Sequence, residues 1–546
     1  MNIKLNSERA KVLLLNPFSD NCFKTESEQV IQQLNRHIQC DTPLGLIYVY
    51  TYAKKELQDV DFVLIDAQAM LFENASLGME ENWKKLISII SDINPDVIGI
   101  GAYFYRASGL FHETCKRIKT ILPDTTIVAG GNYPTDATKI VLTDKNIDYI
   151  IVSEGEVPFT AFLKSFFAGK NVHSIGGLCY KNNEGELVIN KNSFISDLSK
   201  IPIPDRSQLP MHLYGTGRNA LDRVYSNYRA LSMTISRGCA FECTFCTARN
   251  FWGRRIRYRD TSSVLDEMQL LKEKYGASII LIDDDNFLLN KAKASDVMEG
   301  MINRKLGLKW ICGGGANVKA LNDDDFLDLS IRSGLCFLNL AIESSSDKTL
   351  RRIKKPLKVE ESVSLVSKVR KKYPHMYVNS FFIVGFPFET KQEIIDTLEF
   401  SNELQLDWSS HYIFKPFPNT ELYEYCIDNN LIDEFNYNYG ENFKESNLNG
   451  PDWTSRWLFE INYEYNLKVN FLNNRNLKLG NYAQALKDFE YIIDIAPNHA
   501  LAYRQASLAA NGVGNSSKSY MYLQKEKEIM QKENEFTMWY EKLSIN

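Results

Sequence analysis

The chain has 546 residues, 44% hydrophobic and 24% charged, with a formal charge of −5 and 10 cysteines. That make-up is a globular protein of roughly two to four domains, and the acidic balance gives no support to a nucleic-acid partner. No apolar run approaches the ~20 residues of a membrane span, and the N-terminus lacks the apolar core of a signal peptide. Cysteines this sparse make no disulfide framework, which points to the reducing cytoplasm.

Strand and helix signals alternate through residues 1–165. Apolar runs at 11–16, 60–66, 97–101, 126–131 and 149–153 read as buried strands, separated by amphipathic helical stretches such as 110–121. The pattern predicts a doubly wound parallel α/β sheet, whose ligands lie beyond the carboxyl ends of the strands. Those ends carry Asn16-Pro17, Gly101-Ala102-Tyr103, Gly130-Gly131-Asn132-Tyr133-Pro134-Thr135 and Ser153-Glu154-Gly155-Glu156. Glycines there let a backbone approach a bulky ligand closely. Residues 166–228 read as a connector, with a hairpin at 176–190 and a stiff Ile201-Pro202-Ile203-Pro204-Asp205 stretch.

A strand-like run at 231–235 leads straight into Ser236-Arg237-Gly238-Cys239-Ala240-Phe241-Glu242-Cys243-Thr244-Phe245-Cys246. Three thiolates on one short loop suit a [4Fe–4S] cluster with one iron lacking a protein ligand. A closed zinc site wants four ligands, and no fourth cysteine or histidine lies nearby. Within 229–435, strands are predicted at 231–235, 279–283, 309–313, 336–342, 377–384 and 411–415, with helices clearest at 262–274 and 359–372. Six β/α units fit a partial TIM-type barrel, which places chemistry at the carboxyl ends of its strands.

Those ends are polar or rich in glycine. Asp283-Asp284-Asp285-Asn286 can face a ligand or cap a helix. Cys312-Gly313-Gly314-Gly315-Ala316-Asn317 has little side-chain bulk. In Ala341-Ile342-Glu343-Ser344-Ser345 a glutamate closes an apolar run and needs a partner. Ile383-Val384-Gly385-Phe386-Pro387-Phe388-Glu389-Thr390 and Lys415-Pro416-Phe417-Pro418 follow the last two strands.

Other features are less directive. Arg254, Arg255, Arg257 and Arg259 read as a solvated or helix-docking face, or as a site for a substrate carboxylate. Cys312, Cys336 and Cys426 read as buried thiols, and His411 as a core residue. Asn171-Val172-His173-Ser174-Ile175-Gly176 lies in the connector and is set aside for want of the right structural context. From 436 to 546 the β/α rhythm stops. Residues 476–486 with Phe489 and Pro497 follow the tetratricopeptide (TPR) pattern, in a tail that either docks a protein or peptide or caps the barrel.

The cysteine loop, with Phe245 at the aromatic position before its third cysteine, resembles the signature of the radical S-adenosylmethionine (radical SAM) enzymes. The ordered strand-end motifs extend that resemblance over roughly 230–430. The N-terminal sheet, with Thr42-Pro43-Leu44-Gly45-Leu46, is similar to the cobalamin-binding domain upstream of many such enzymes. The resemblance implies an α/β chain: a doubly wound sheet, a partial (β/α)6 radical SAM barrel and a helical TPR-like tail. It implies a [4Fe–4S] cluster on Cys239, Cys243 and Cys246, and SAM contacts at Asp284, Asn286, Glu343, Ser344 and Gly385. It implies cobalamin contacts at Pro43, Gly45, Tyr103, Gly130, Gly131 and Glu154.

The implied reaction is methylation of an unactivated carbon. One SAM methylates cobalamin, a second yields a 5′-deoxyadenosyl radical, and methylcobalamin supplies the methyl group. The alternatives are a rearrangement or cyclisation without methyl transfer and, in another class, a degenerate binding protein with a recruiting tail. The implied partners are a small-molecule or peptide substrate, a flavodoxin- or ferredoxin-type electron donor and a protein at the tail, with neither nucleic acid nor membrane. Two departures bear on the cobalt. No Asp-x-His-x-x-Gly follows Asn16, and Tyr133 stands where relatives often have histidine, so the lower face is expected to meet a group other than histidine near Tyr103 or Phe104.

Overall fold

The computed structural model describes residues 9–19, 40–103, 107–215, 220–433, 447–531 and 535–545. The five apolar runs near the N-terminus form β1 (Ala10–Asn16), β2 (Val60–Asp66), β3 (Val97–Gly101), β4 (Thr126–Gly130) and β5 (Tyr149–Ile151). They pair in parallel in the order β2-β1-β3-β4-β5, so the strand order reverses between β1 and β3. Helices α1 (Leu44–Glu56), α2 (Ser108–Ile121), α3 (Asn132–Asp136) and α4 (Glu156–Phe167) belong to this unit. Alternate residues of β1 enter separate cores: Val12 and Leu14 pack with α1 and α4, Leu13 and Leu15 with α2. Burial on both faces is why the run shows no polar alternation.

The hairpin expected in the connector is present as β6 (Leu178–Lys181) and β7 (Leu187–Ile189), but it belongs to the sheet. β6 pairs antiparallel with β5 and extends the sheet to seven strands. It covers an edge of β5 that would otherwise present unpaired backbone groups.

The second unit starts with β8 (Ala230–Met233) and a short antiparallel pair, β9 (Ser236–Arg237) with β10 (Arg257–Tyr258), which brackets the cysteine loop and α5 (Ala248–Trp252). Then come β11 (Ile279–Ile282), β12 (Lys309–Cys312), β13 (Leu338–Glu343), β14 (Val378–Val384) and β15 (Trp408–Ile413). The six parallel strands form two sheets of three, β8-β11-β12 and β13-β14-β15, joined by bridges Trp310↔Leu335 and Ala316↔Leu340. The predicted helices are α6 (Thr261–Tyr275) and α7 (Val359–Lys372), followed by α8 (Lys391–Glu403). α6 starts at Asp260, whose carboxylate accepts from the Ser263 N–H, and stops at left-handed Gly276.

The tail holds α9 (Ser455–Leu467), α10 (Tyr482–Ile495), α11 (Ala500–Gly512) and α12 (Ser516–Met530), with α10 packed on α11 and α11 on α12. It caps the barrel at the amino ends of the strands. Phe471 and Phe489 share a core with Ile279, Phe337 and Trp408. The Tyr377 hydroxyl donates to Asp488 at 2.8 Å, and the Asn470 amide exchanges two 2.8 Å hydrogen bonds with the Ser409 backbone. The Arg223 guanidinium lies 3.6 Å from the centre of the Trp408 ring. Among the described residues no helix is long and apolar enough to cross a membrane.

Candidate active site

The carboxyl ends of the five parallel strands of the sheet and of the barrel strands face each other across one cavity of about 930 Å³. Gly45, Gly101, Gly130 and Gly131 border it from the sheet side, and Cys239, Cys243 and Cys246 from the barrel side. A volume of this order is at the upper end for small-molecule sites.

The cysteine loop is anchored at its root. Gly238 has φ 100°, and a Cβ there would sit 2.5 Å from the Arg255 carbonyl oxygen, so only glycine fits the turn. Phe245 packs on Phe386, with ring centres 5.9 Å apart. The three thiols are free and half-buried. The Asn286 amide approaches the Cys239 sulfur at 3.8 Å. Burial raises all three thiols, Cys243 to about 11 and Cys246 to about 12. Among the described residues no three His, Cys, Asp or Glu side chains converge on one ion-sized point. The three thiols of the loop all border the cavity, which suits a cluster whose irons are ligated one by one.

The barrel's second strand end divides its acids. Asp284 borders the cavity while its carboxylate is engaged by the chain: it accepts from the Ile235 and Ser236 N–H groups at 2.8 and 2.6 Å and from the Ser236 hydroxyl. It braces the entry to the cysteine loop. Its neighbours Asp283 and Asp285, read from the sequence as part of the same segment, border the cavity too. Enclosure by the protein pushes both carboxyls up to about 6. A buried oxygen of Asp285 has no partner in the chain, so the cavity keeps an acceptor for a ligand. Gly313 sits close beside them: a Cβ there would lie 2.7 Å from an Asp283 oxygen and push that side chain aside. The Asn286 carbonyl accepts from Asn317 at 3.1 Å.

On β13 the pairing slips between Ala341 and Glu343, and Glu343 has φ 71°. This bulge turns Glu343 into the cavity, where it pairs with Lys355 at 2.8 Å. Lys355 is a cavity residue that the sequence reading missed. Burial opposes its charge, yet Glu343 holds the ammonium above its usual range. Ser344 falls on the other side. It is fully buried with its hydroxyl 3.4 Å from that of Thr397 on α8, and it does not border the cavity. Gly385 is also displaced from the cavity: a Cβ there would meet Leu458 of α9 at 2.3 Å. Its N–H donates to Glu389.

On the sheet side, Pro43, Gly45, Tyr103, Gly130 and Gly131 border the cavity. Gly131 has φ 96° and a Cβ there would lie 2.5 Å from the Ala102 carbonyl oxygen, while Gly45 has open space within 4 Å. These glycines form a cradle that side chains would fill. Glu154 reaches the cavity wall, but both its oxygens are engaged by Arg257, at 2.8 and 2.9 Å. Its carboxylate links the two units rather than standing free for a ligand. Among the described residues no histidine lines the cavity; Phe104 and His37 lie outside them.

The arginine run is solvated at Arg254 and Arg255 and buried at Arg257 and Arg259. Arg257 and Arg259 are buried in ion pairs with Glu154 and Glu267, whereas Arg254 is exposed and pairs with Glu242 at 2.6 Å. His411 is buried against Ser401 at 2.8 Å, Cys312, Cys336 and Cys426 are buried, and His173 stacks on Tyr180 away from the cavity.

Residues 233–401 match the radical SAM superfamily, and residues 39–163 match the B12 binding domain. The chain is 25% identical over 504 residues to cytidylyl-2-hydroxyethylphosphonate methyltransferase of Streptomyces wedmorensis, covering 85% of this chain and 91% of the relative. It is 29% identical over 399 residues to an uncharacterized methyltransferase of Pyrococcus horikoshii, covering 72% and 80%. Its fold is that of the radical SAM methyltransferase TsrM from Kitasatospora setae, with a TM-score of 0.62 at 16% identity over 96% of this chain and 99% of that one. The cobalamin-dependent radical enzyme OxsB aligns with a TM-score of 0.63 at 15% identity over 96% and 79%. The chain therefore carries a B12-binding domain followed by a radical SAM domain.

Proposed function

We propose that this protein methylates an unactivated carbon of a small molecule or peptide. The observation that carries the reading is the single cavity onto which both the cysteine loop and the glycine cradle of the sheet open. When bound there, a [4Fe–4S] cluster supplies the electron that cleaves SAM, and cobalamin carries the methyl group. Cys239, Cys243 and Cys246 hold the cluster. Asp285, Asn286 and the Glu343–Lys355 pair hold the polar end of SAM, and Gly313 keeps the neighbouring space clear. Pro43, Gly45, Gly130 and Gly131 receive cobalamin, and Tyr103 stands beside it. The tail closes the floor of the barrel and keeps water from the reacting atoms on that side.

The reading further implies a flavodoxin- or ferredoxin-type electron donor and a reducing compartment such as the cytoplasm. It leaves the exposed side of the TPR-like helices for docking. It also implies that the Co(II) form shows no nitrogen splitting from an axial histidine, which electron paramagnetic resonance checks. The central test is anaerobic reconstitution with cobalamin and SAM deuterated in its methyl group, using cell extract or candidate substrates. Deuterated methyl in the product, with 5′-deoxyadenosine, is the expected result. Radical cleavage with a rearranged, unlabelled product overturns methyl transfer, and no cleavage at all returns the chain to the binding class.

A further inference from the structure

We infer that Arg237 is a positioning residue: it ties the root of the cysteine loop to the strand-five turn of the B12-binding sheet, and so sets the separation between the two halves of the cavity. The inference rests on the reading that both halves are loaded. Arg237 stands two residues before Cys239. Its guanidinium reaches Glu154 at 3.3 Å, in the turn after β5, and Glu156 at 2.5 Å, the residue that opens α4 from that turn. Arg257, just past the loop on β10, reaches Glu154 at 2.8 Å and donates to the Trp252 carbonyl at 2.7 Å. The entry and the exit of the cysteine loop therefore converge on one turn of the other unit.

All four charged side chains are nearly inaccessible, at 4, 2, 3 and 6% for Arg237, Glu154, Glu156 and Arg257. Arg237 also lies between two rings, 5.1 Å from Tyr48 of α1 and 4.9 Å from Trp252 of α5. A neighbouring contact runs the same way, from the Ser153 hydroxyl to the Asn250 carbonyl at 3.2 Å. Ser153 adopts φ 65°, a conformation uncommon for a non-glycine residue, which aims the turn at the loop.

Stability alone does not account for this choice of residues. Apolar side chains of similar volume hold two domains together at least as well as a buried ion pair. What a planar guanidinium between two carboxylates adds is direction, since its donors accept one orientation of their partners. Direction matters here because misplacement by an ångström lowers the rate of an aligned reaction by about 10²-fold.

The test uses reconstituted holoenzyme with Arg237→Met and Arg237→Lys. Iron and cobalamin are counted first. Pulsed electron paramagnetic resonance then reads the distance between Co(II) and the reduced cluster, and turnover is scored as methylated product per 5′-deoxyadenosine. Arg237→Met is expected to broaden the distance distribution and to lower that ratio by about 10²-fold while SAM is still cleaved. Arg237→Lys recovers part of both, because one ammonium cannot present the same fork. An unchanged distance and ratio at full loading overturns the inference. If Arg237→Met fails to load, Glu156→Gln, which leaves Arg237 its Glu154 partner, is read the same way, and unchanged values there overturn it too. The distance needs no substrate, so it still decides the matter if the wild type does not methylate. A wild type that retains no cobalamin overturns this inference together with the reading beneath it.

Discussion

At the carboxyl ends of its strands the barrel presents thiols, carboxylates and glycines to a cavity, and meets the N-terminal sheet through buried ion pairs. At the amino ends it meets the tail through Phe471, Phe489 and Trp408, packed around Arg223 and Asp488. The first contact is directional and leaves space; the second is mostly apolar and leaves little. The contrast separates what aligns reactants from what keeps the barrel folded, as strand polarity in barrel enzymes leads one to expect.

Replacing Cys239, Cys243 and Cys246 together by alanine strikes the open end hardest. Cluster iron is expected to vanish after anaerobic reconstitution while the thermal unfolding of the apoprotein barely moves, and iron equal to wild type would reject the ligand assignment. Phe489→Ala strikes the closed end. Phe489 is fully buried, so the variant should lose about 3–5 kcal/mol of stability in a denaturant titration. A cost below about 1 kcal/mol would show that the floor is not held by this packing. Glu343→Gln returns to the open end with a smaller change. It removes a charge-assisted pair worth about 1.5–3 kcal/mol, so SAM should bind roughly 10- to 100-fold more weakly at unaltered iron content; wild-type affinity would remove Glu343 from the site.

The smallest effect belongs to Asp488. Burial, opposed by nearby Arg223, pushes its carboxyl up to about 7. A raised acid holds its proton more tightly in the folded than in the unfolded chain. Its contribution to stability is therefore complete below the ordinary carboxylate range and is lost as the pH rises to about 7. Asp488→Asn cannot titrate, so its unfolding midpoint should vary less than that of wild type between about pH 4 and 7. Parallel curves would show that Asp488 stays ionised beside Arg223.

Much of this layout was legible from local pattern. The limits of β2, β3 and α7 coincide with the apolar runs that announced them, because burial on both faces of a strand, or along one stripe of a helix, writes itself into adjacent residues. The cysteine spacing was legible for the same reason. What stayed hidden depends on partners far away in sequence or on a single step of register. Arg257 finds Glu154 and Arg259 finds Glu267 only once the units are packed. Nothing near Asp283, Asp284 and Asp285 says which of them braces the backbone. The bulge at Glu343 decides that this residue enters the cavity and Ser344 does not, since one extra residue reverses the facing of those that follow.

The floor of the barrel is made by a part of the chain that is synthesised after the barrel itself. Ile279, Phe337 and Trp408 emerge well before Phe471 and Phe489, the rings that cover them. During synthesis a nearly complete barrel carries an apolar opening at its base, the kind of surface that draws chaperones or aggregates. The waiting period ends only when α10 docks. Slow translation or premature termination after β15 thus leaves the barrel at its most vulnerable, with Cys239, Cys243 and Cys246 already made and no base beneath them.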